Sequence, residues 1–296
     1  MLQNSSEQTQ RWEQNHQKKI QLMRQMQGTV PQYQEILGFF EQVLQERKKY
    51  KFALCDLPDP LVPGNFALYE SKLKKGIPLL DRNDIDFNNQ IMAEHLFRLA
   101  QILKSRSRNK PADFSDAFLQ KNNFNLKTFL TGKQLPLSGD PMDFLVSETI
   151  NPVLAIYAEK IKDRIDFTKW NRGYCPVCGE FPMMAALSAE TGKRKLISLS
   201  CGTEWEYSRV KCPYCENEDQ QQLSYLYIEN TPRYRIEICH QCRQYIKTID
   251  LRQTTEPVDY EIENIITLHL DIIARENGYG DDGSVGETKP ENAVYH

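Results

Sequence analysis

Cys212-Pro213-Tyr214-Cys215 and, after 23 intervening residues, Cys239-His240-Gln241-Cys242 decide the fold of the second half of this chain. A C-x2-C turn puts two thiolates on one side of a tight loop. Two such knuckles joined by a β-hairpin supply the four tetrahedral ligands that a structural zinc or a single iron requires. The spacing therefore predicts one metal site from Cys212, Cys215, Cys239 and Cys242, and a zinc-ribbon fold around it. Working back 37 positions, Cys175-Pro176-Val177-Cys178 repeats the first knuckle, and Cys201 follows it after 22 intervening residues. This second copy is incomplete, because Ser198 stands where the repeat would have its remaining cysteine. A hydroxyl is a poor ligand beside thiolates, so Cys175, Cys178 and Cys201 leave a fourth position for water, a nearby carboxylate or nothing.

The residues around the cysteines suit short strands. Lys195 to Leu199, Thr203 to Val210, Leu223 to Glu229, Arg233 to Ile238 and Gln244 to Ile249 are β-rich or alternating. Trp205 and Tyr207 alternate with Glu204, Glu206 and Ser208, which turns the rings inward and the carboxylates outward. Upstream the period changes. Leu22, Met23 and Met26, then Tyr33, Ile36, Leu37, Phe40, Val43 and Leu44, recur at three-and-four spacing, as does Ile91, His95, Leu96, Leu99, Ile102 and Leu103. Proline-rich Leu57 to Gly64 and the turn signal Pro136 to Pro141 punctuate these faces, and Val146, Ile150, Val153, Leu154, Tyr157 and Ile161 form a further stripe. Val258, Ile262, Ile265, Ile266, His269, Ile272 and Ile273 predict a last helix that packs back on the body, with His269 in its apolar stripe.

The expected class is α+β: an N-terminal helical bundle over 1–168, two tandem rubredoxin- or zinc-ribbon-like β modules over 169–257, a C-terminal helix over 258–276 and a disordered tail over 277–296. The composition agrees with a folded chain. It has 296 residues, 40% of them hydrophobic, and a mean hydropathy of -0.60. Apolar runs such as Val153 to Ala158 fall far short of the roughly 20 residues of a membrane span. Met1 to Glu7 lack the basic-then-apolar profile of a secretory signal, so the expected location is the cytoplasm. Eight cysteines in that reducing compartment read as metal ligands or redox groups rather than disulfides. Cys55, alone in the first half, reads as a small buried side chain.

Three chemistries compete with structural metal. Cys212-Pro213-Tyr214-Cys215 matches the glutaredoxin tetrapeptide, but a redox dithiol sits at a helix N-terminus that lowers its pKa, and here Glu216, Glu218 and Asp219 add negative charge instead. Hydrolysis at an open metal position lacks support, since no H-E-x-x-H, P-loop or G-x-S-x-G occurs. Nucleic-acid binding needs a basic surface, yet the formal net charge is -3, and 172–252 holds eleven Lys/Arg against ten Asp/Glu. Lys193-Arg194-Lys195 and Arg47-Lys48-Lys49 are local exceptions, each read as a solvated face. His240, inside the last knuckle, is a spare ligand beside four thiolates.

With Gly173 to Gly179, Cys201 to Trp205, Arg209 to Cys215, Glu237 to Cys242, Tyr245, Lys247 and Gly278-Tyr279 in view, the chain resembles the FdhE-type formate dehydrogenase accessory proteins over about Gly173 to Tyr279. The resemblance implies a non-enzymatic cytoplasmic assembly factor. It would bind the catalytic subunit of a molybdenum or tungsten formate dehydrogenase during maturation and hold iron or zinc in rubredoxin-like ribbons. That family carries four C-x2-C knuckles, so Ser198 is a departure at the first site.

Overall fold

The computed structural model describes residues 2–61, 65–80, 89–106, 141–227 and 231–280. The chain divides into two compact units: Met1–Pro60 with Asp81–Glu159, and Leu61–Leu80 with Lys160–His296. The described residues bear out the expected class, helices first, then a β-region carrying the cysteines, then C-terminal helix. Residues 281–296, most of the expected tail, and Pro136 to Asp140 of the second turn signal lie outside the described residues.

The first unit holds helices α1 (Leu2–Thr29), α2 (Gln34–Ala53), α4 (Asn89–Arg106) and α5 (Pro141–Ile161). Their apolar stripes meet as the periodicity predicts: Val43 of α2, Leu96, Leu99 and Ala100 of α4 and Leu145 of α5 form one buried cluster. Helix α5 contains Pro152, which has no N–H to give the carbonyl four residues back. That carbonyl belongs to Glu148, and the ring Nε2 of His95 donates to it at 3.2 Å. The Tyr50 hydroxyl donates to the next carbonyl, Thr149, at 3.1 Å, and the two rings stack with centroids 4.0 Å apart. A buried polar pair thus repairs a proline defect.

Burial holds the His95 imidazole down from 6.5 to about 4. The folded state then binds fewer protons than the unfolded one between those values, so its stability falls as pH drops through that window. The expected loss is about 1.4 kcal/mol per pH unit and about 3 kcal/mol in all. His95→Phe should flatten this slope while lowering stability at pH 7, because Glu148 loses its donor. Denaturant melts of the helical signal from pH 7 to 4 check both, and an equal slope in the variant would refute the assignment.

In the second unit six strands form one sheet in the order β3-β2-β1-β6-β5-β4. They are β1 (Met184–Leu187), β2 (Arg194–Ile197), β3 (Glu204–Glu206), β4 (Leu223–Tyr227), β5 (Tyr234–Cys239) and β6 (Tyr245–Asp250). Each ribbon is an antiparallel three-strand meander, and the two are fused by a parallel pairing of β1 with β6, from Met184↔Lys247 to Leu187↔Asp250. Trp205 and Tyr207 are buried between exposed neighbours, as their alternation predicts. Helix α3 (Phe66–Lys74) leads into a strap in which Leu79 and Leu80 donate to the carbonyls of Pro176 and Val177, inside the first knuckle.

The C-terminal helix is broken in two, α6 (Tyr260–Ile266) and α7 (Leu268–Glu276). Asp259 caps α6 by accepting from the backbone N–H groups of Glu261 and Ile262. At the break, Thr267 donates its hydroxyl to the Glu263 carbonyl. The interruption changes which residues face inward. Ile262, Ile265 and Ile266 are buried, while Ile272, placed on the same stripe by its spacing, is 57% exposed. Leu270 and Ala274 pack with Leu226, Ile236 and Ile238 of the sheet instead.

Candidate metal centre

Four knuckles share one backbone frame. They begin at Cys175, Ser198, Cys212 and Cys239, and in each the first residue donates its N–H to the carbonyl five positions on, at 2.8 to 3.0 Å. The fifth residue returns an N–H to the first residue's carbonyl in all four. That fifth residue lies in the left-handed region every time: Gly179 (φ 76), Gly202 (φ 75), Glu216 (φ 60) and Arg243 (φ 58). Glycine suits this conformation, and the glutamate and arginine are held there by the turn. Gly173 has another reason to be glycine. A Cβ there would stand 1.7 Å from the Pro213 carbonyl oxygen, so the two leading knuckles touch backbone to backbone.

The sulfur atoms of Cys212, Cys215, Cys239 and Cys242 all lie within 4.8 Å of one another, as do those of Cys175, Cys178 and Cys201. Within the second cluster Cys212 meets Cys242 at 3.6 Å and Cys215 meets Cys239 at 3.7 Å. A tetrahedral ion with sulfur at about 2.3 Å gives sulfur–sulfur edges of about 3.8 Å, so these thiols fit a bound zinc or iron without rearrangement. Both clusters can hold metal. The seven residues grouped by spacing are the seven brought together, and Cys55, which is half-buried rather than buried, joins neither.

The first cluster is fully buried, whereas Cys215 and Cys242 of the second are half-exposed. In each cluster one thiol is set apart. Hydrogen bonding from Cys242 draws Cys212 down to about 5, and hydrogen bonding from Cys175 holds Cys201 well below its usual range. Burial pushes Cys175 up to about 12. The Cys201 thiol donates to the Thr203 hydroxyl at 3.1 Å, and donors reach the other sulfurs from outside: Val177 N–H to Cys175 at 3.4 Å and Asn217 amide to Cys239 at 3.9 Å. Such contacts stabilise thiolate charge and fix ligand orientation.

The competing readings meet specific obstacles in this geometry. Cys212-Pro213-Tyr214-Cys215 starts a turn and not a helix, and both thiols face the other knuckle. The carboxylates beside it are neutralised, Glu216 by Arg172 and Lys211 and Glu218 by Lys211. His240 points away from the sulfurs, its Nε2 on the Ser224 hydroxyl and its Nδ1 on the Tyr279 hydroxyl, each at 2.8 Å. The basic stretches are ion-paired within the chain, with Lys49 and Lys193 exposed and Lys195 half-exposed, as a solvated face requires. Arg47, Lys48 and Lys49 pair with Glu148, Glu13 and Glu46. Arg194, read from the sequence as part of a solvated run, is 3% exposed and ion-paired to Glu237 of the other ribbon at 2.6 Å. The available signal was alternation, which puts Arg194 on the face of Leu196 and opposite Lys193 and Lys195.

Several motif residues turn out to brace the second knuckle or the helices behind it. Tyr245 and Lys247 both bind Asp271 of α7, at 2.8 and 2.7 Å. Gly278 takes a left-handed turn that lets Tyr279 reach His240 and lie under the Arg243 guanidinium, 4.4 Å from its ring centre.

A helical unit followed by a four-knuckle cysteine sheet defines the class of protein, a ribbon protein with paired metal-capable sites. Within it, residues 210–285 match the model of the family described as FdhE, C-terminal domain. The FdhE homologue of Aquifex aeolicus is 28% identical over 265 residues, covering 84% of this chain and 87% of that protein. The FdhE homologue of Pseudomonas aeruginosa is 33% identical over 118 residues, 37% of each chain. The crystal structure of the FdhE protein from Pseudomonas aeruginosa superposes with a TM-score of 0.58 at 22% identity, covering 88% of this chain and 90% of that one, and so shares the fold. These likenesses bear out the resemblance read from the motifs. Among the described residues no helix is long and apolar enough to cross a membrane.

Proposed function

We propose that this protein is a cytoplasmic accessory factor that binds the catalytic subunit of formate dehydrogenase during its maturation, and that its cysteine knuckles hold zinc or iron structurally. The observation carrying this reading is the FdhE C-terminal domain over 210–285, whose knuckle Cys212, Cys215, Cys239 and Cys242 is complete. Four thiolates close a tetrahedral ion and leave no position for water or substrate, which favours docking over catalysis. Phe181 and Met183, 48% and 44% exposed just beyond the first knuckle, supply apolar surface of the kind partners cover.

The test is affinity purification of the full chain from cells grown anaerobically with formate, with partners identified and metal counted in the same sample. The catalytic subunit of formate dehydrogenase should be recovered with the wild type and lost with Cys212→Ser/Cys239→Ser. Absence of any formate dehydrogenase subunit from the wild-type sample would overturn the reading.

A further inference from the structure

We propose that Ser198 is the fourth ligand of the first knuckle site, so that the chain carries a metal site of three cysteines and one serine beside a site of four cysteines. The inference rests on the reading that the knuckles hold metal, and it assigns to this chain a ligand that the spacing of its cysteines leaves out.

The backbone makes the first argument. Ser198 opens a knuckle with the frame shared by the three cysteine-led ones: its N–H donates to Thr203 at 3.0 Å, and Gly202 donates back to it at 2.8 Å. The residue at that position of the frame is placed to present its side chain as Cys239 does in the second site. Side-chain pairing makes the second argument. In the complete site the partners are Cys212 with Cys242 and Cys215 with Cys239. In the first site they are Cys175 with Cys201, at 3.5 Å, and Cys178 with Ser198, at 3.4 Å. Ser198 therefore occupies the place of Cys239, residue for residue and contact for contact.

Distances agree with a shared ion. Oxygen at about 2.1 Å and sulfur at about 2.3 Å from a tetrahedral metal stand about 3.6 Å apart. The Ser198 hydroxyl is 3.4 Å from Cys178 and 3.5 Å from Cys201, thus touching a thiol of each arm, and the side chain is fully buried. Thr203, the other hydroxyl nearby, accepts from the Cys201 thiol at 3.1 Å and, with Cys201 bound to metal as a thiolate, is placed to turn its own proton to that sulfur as an outer hydrogen bond. Among the described residues no carboxylate or imidazole joins the three-cysteine group. One oxygen among three sulfurs makes the first site harder than the second, which suits zinc or iron and disfavours softer ions such as copper(I). The second site should accordingly fill first.

Cobalt(II) alone, added to the metal-free full chain, tests this, because its thiolate charge-transfer absorption scales with the number of cobalt–sulfur bonds. The wild type should take two cobalt ions with seven such bonds. Ser198→Cys should raise the saturated charge-transfer intensity by about one seventh and tighten first-site binding. Ser198→Ala should weaken first-site cobalt against a competing chelator by about 10-fold or more, since losing even an outer hydrogen-bond partner costs 10- to 100-fold. The second site should be unchanged in both. Wild-type affinity and spectrum in Ser198→Ala, or no added intensity in Ser198→Cys, would overturn the proposal. One cobalt in the wild type, bound by the second site, would sink this inference and leave the metal-knuckle reading standing; none at either site would sink both.

Discussion

Stripping metal from both knuckle sites is expected to unfold the sheet-bearing unit cooperatively while the helical unit keeps its structure. Structural zinc in ribbon peptides contributes about 10–16 kcal/mol, which equals or exceeds the roughly 5–15 kcal/mol of net stability of an ordinary domain. The sheet has an apolar core of its own around Leu226, Ile236 and Ile238, but its elements are short. Its strands are three to six residues long, and the chain between them is largely knuckle and turn. Without metal, seven thiols remain packed together, five of them buried, and each site loses the ion that would join its four corners. The helical unit draws on a different source, the interhelical cluster around Leu96, Leu99 and Leu145. The tryptophans separate the two outcomes. Trp170 and Trp205 donate their indole N–H groups to the carbonyls of Tyr174 and Arg172, beside the first knuckle, whereas Trp12 donates to Glu159 in the helical unit. Chelation should therefore red-shift the emission of a Trp12→Phe variant and expose its C-terminal half to trypsin, with helical circular dichroism largely retained. Unchanged protease resistance after complete metal removal would refute a structural role for the metal.

What the sequence made legible follows from which signals are local. Helix faces such as Leu96, Leu99 and Ile102 repeat within one element, and knuckle spacing is a property of a few consecutive residues, so both could be read directly. Strand β1, Met184–Leu187, escaped notice because all four residues are buried and no alternation marks them. Its parallel pairing with β6 spans more than sixty residues, and this is what turns two ribbons into a single sheet. The place of Ser198 was visible as a gap, but only the backbone frame shows that the gap keeps the shape of a knuckle. Joining of Leu61–Leu80 to the sheet-bearing unit relies on main-chain bonds from Leu79 and Leu80 to Pro176 and Val177 and on the Tyr174 hydroxyl donating to the Gly76 carbonyl, none of which any spacing in the sequence marks. At the break, the Thr267 hydroxyl and N–H share the Glu263 carbonyl, a local bond that an apolar pattern reading as continuous does not reveal.

Replacing Asp271 with alanine should destabilise the sheet-bearing unit by about 3–5 kcal/mol at neutral pH, the usual cost of leaving a buried charge without its partner. Lys247 is 3% exposed, and among the described residues its ammonium meets Asp271, at 2.7 Å, and the Asn264 carbonyl, at 2.9 Å. Burial already lowers the lysine's pKa, and Asp271 opposes that shift. Without the carboxylate the folded-state pKa drops further below the unfolded value. The folded form then binds fewer protons than the unfolded form across the interval between the two, so the defect should be largest at neutral pH and shrink as pH rises toward 10. Tyr245, which donates to the other carboxylate oxygen at 2.8 Å, loses its partner too. Lys247→Met combined with Asp271→Leu should recover most of the loss, because an apolar pair of similar volume removes the desolvation cost along with the attraction. Both Tyr245 and Lys247 help to carry the FdhE resemblance, and this cycle asks whether they do so as internal braces. Melts of the single and double variants, with metal saturated throughout, give the answer: a single variant within about 0.5 kcal/mol of wild type, the range of ordinary surface changes, would mean that the lysine is free to leave the core.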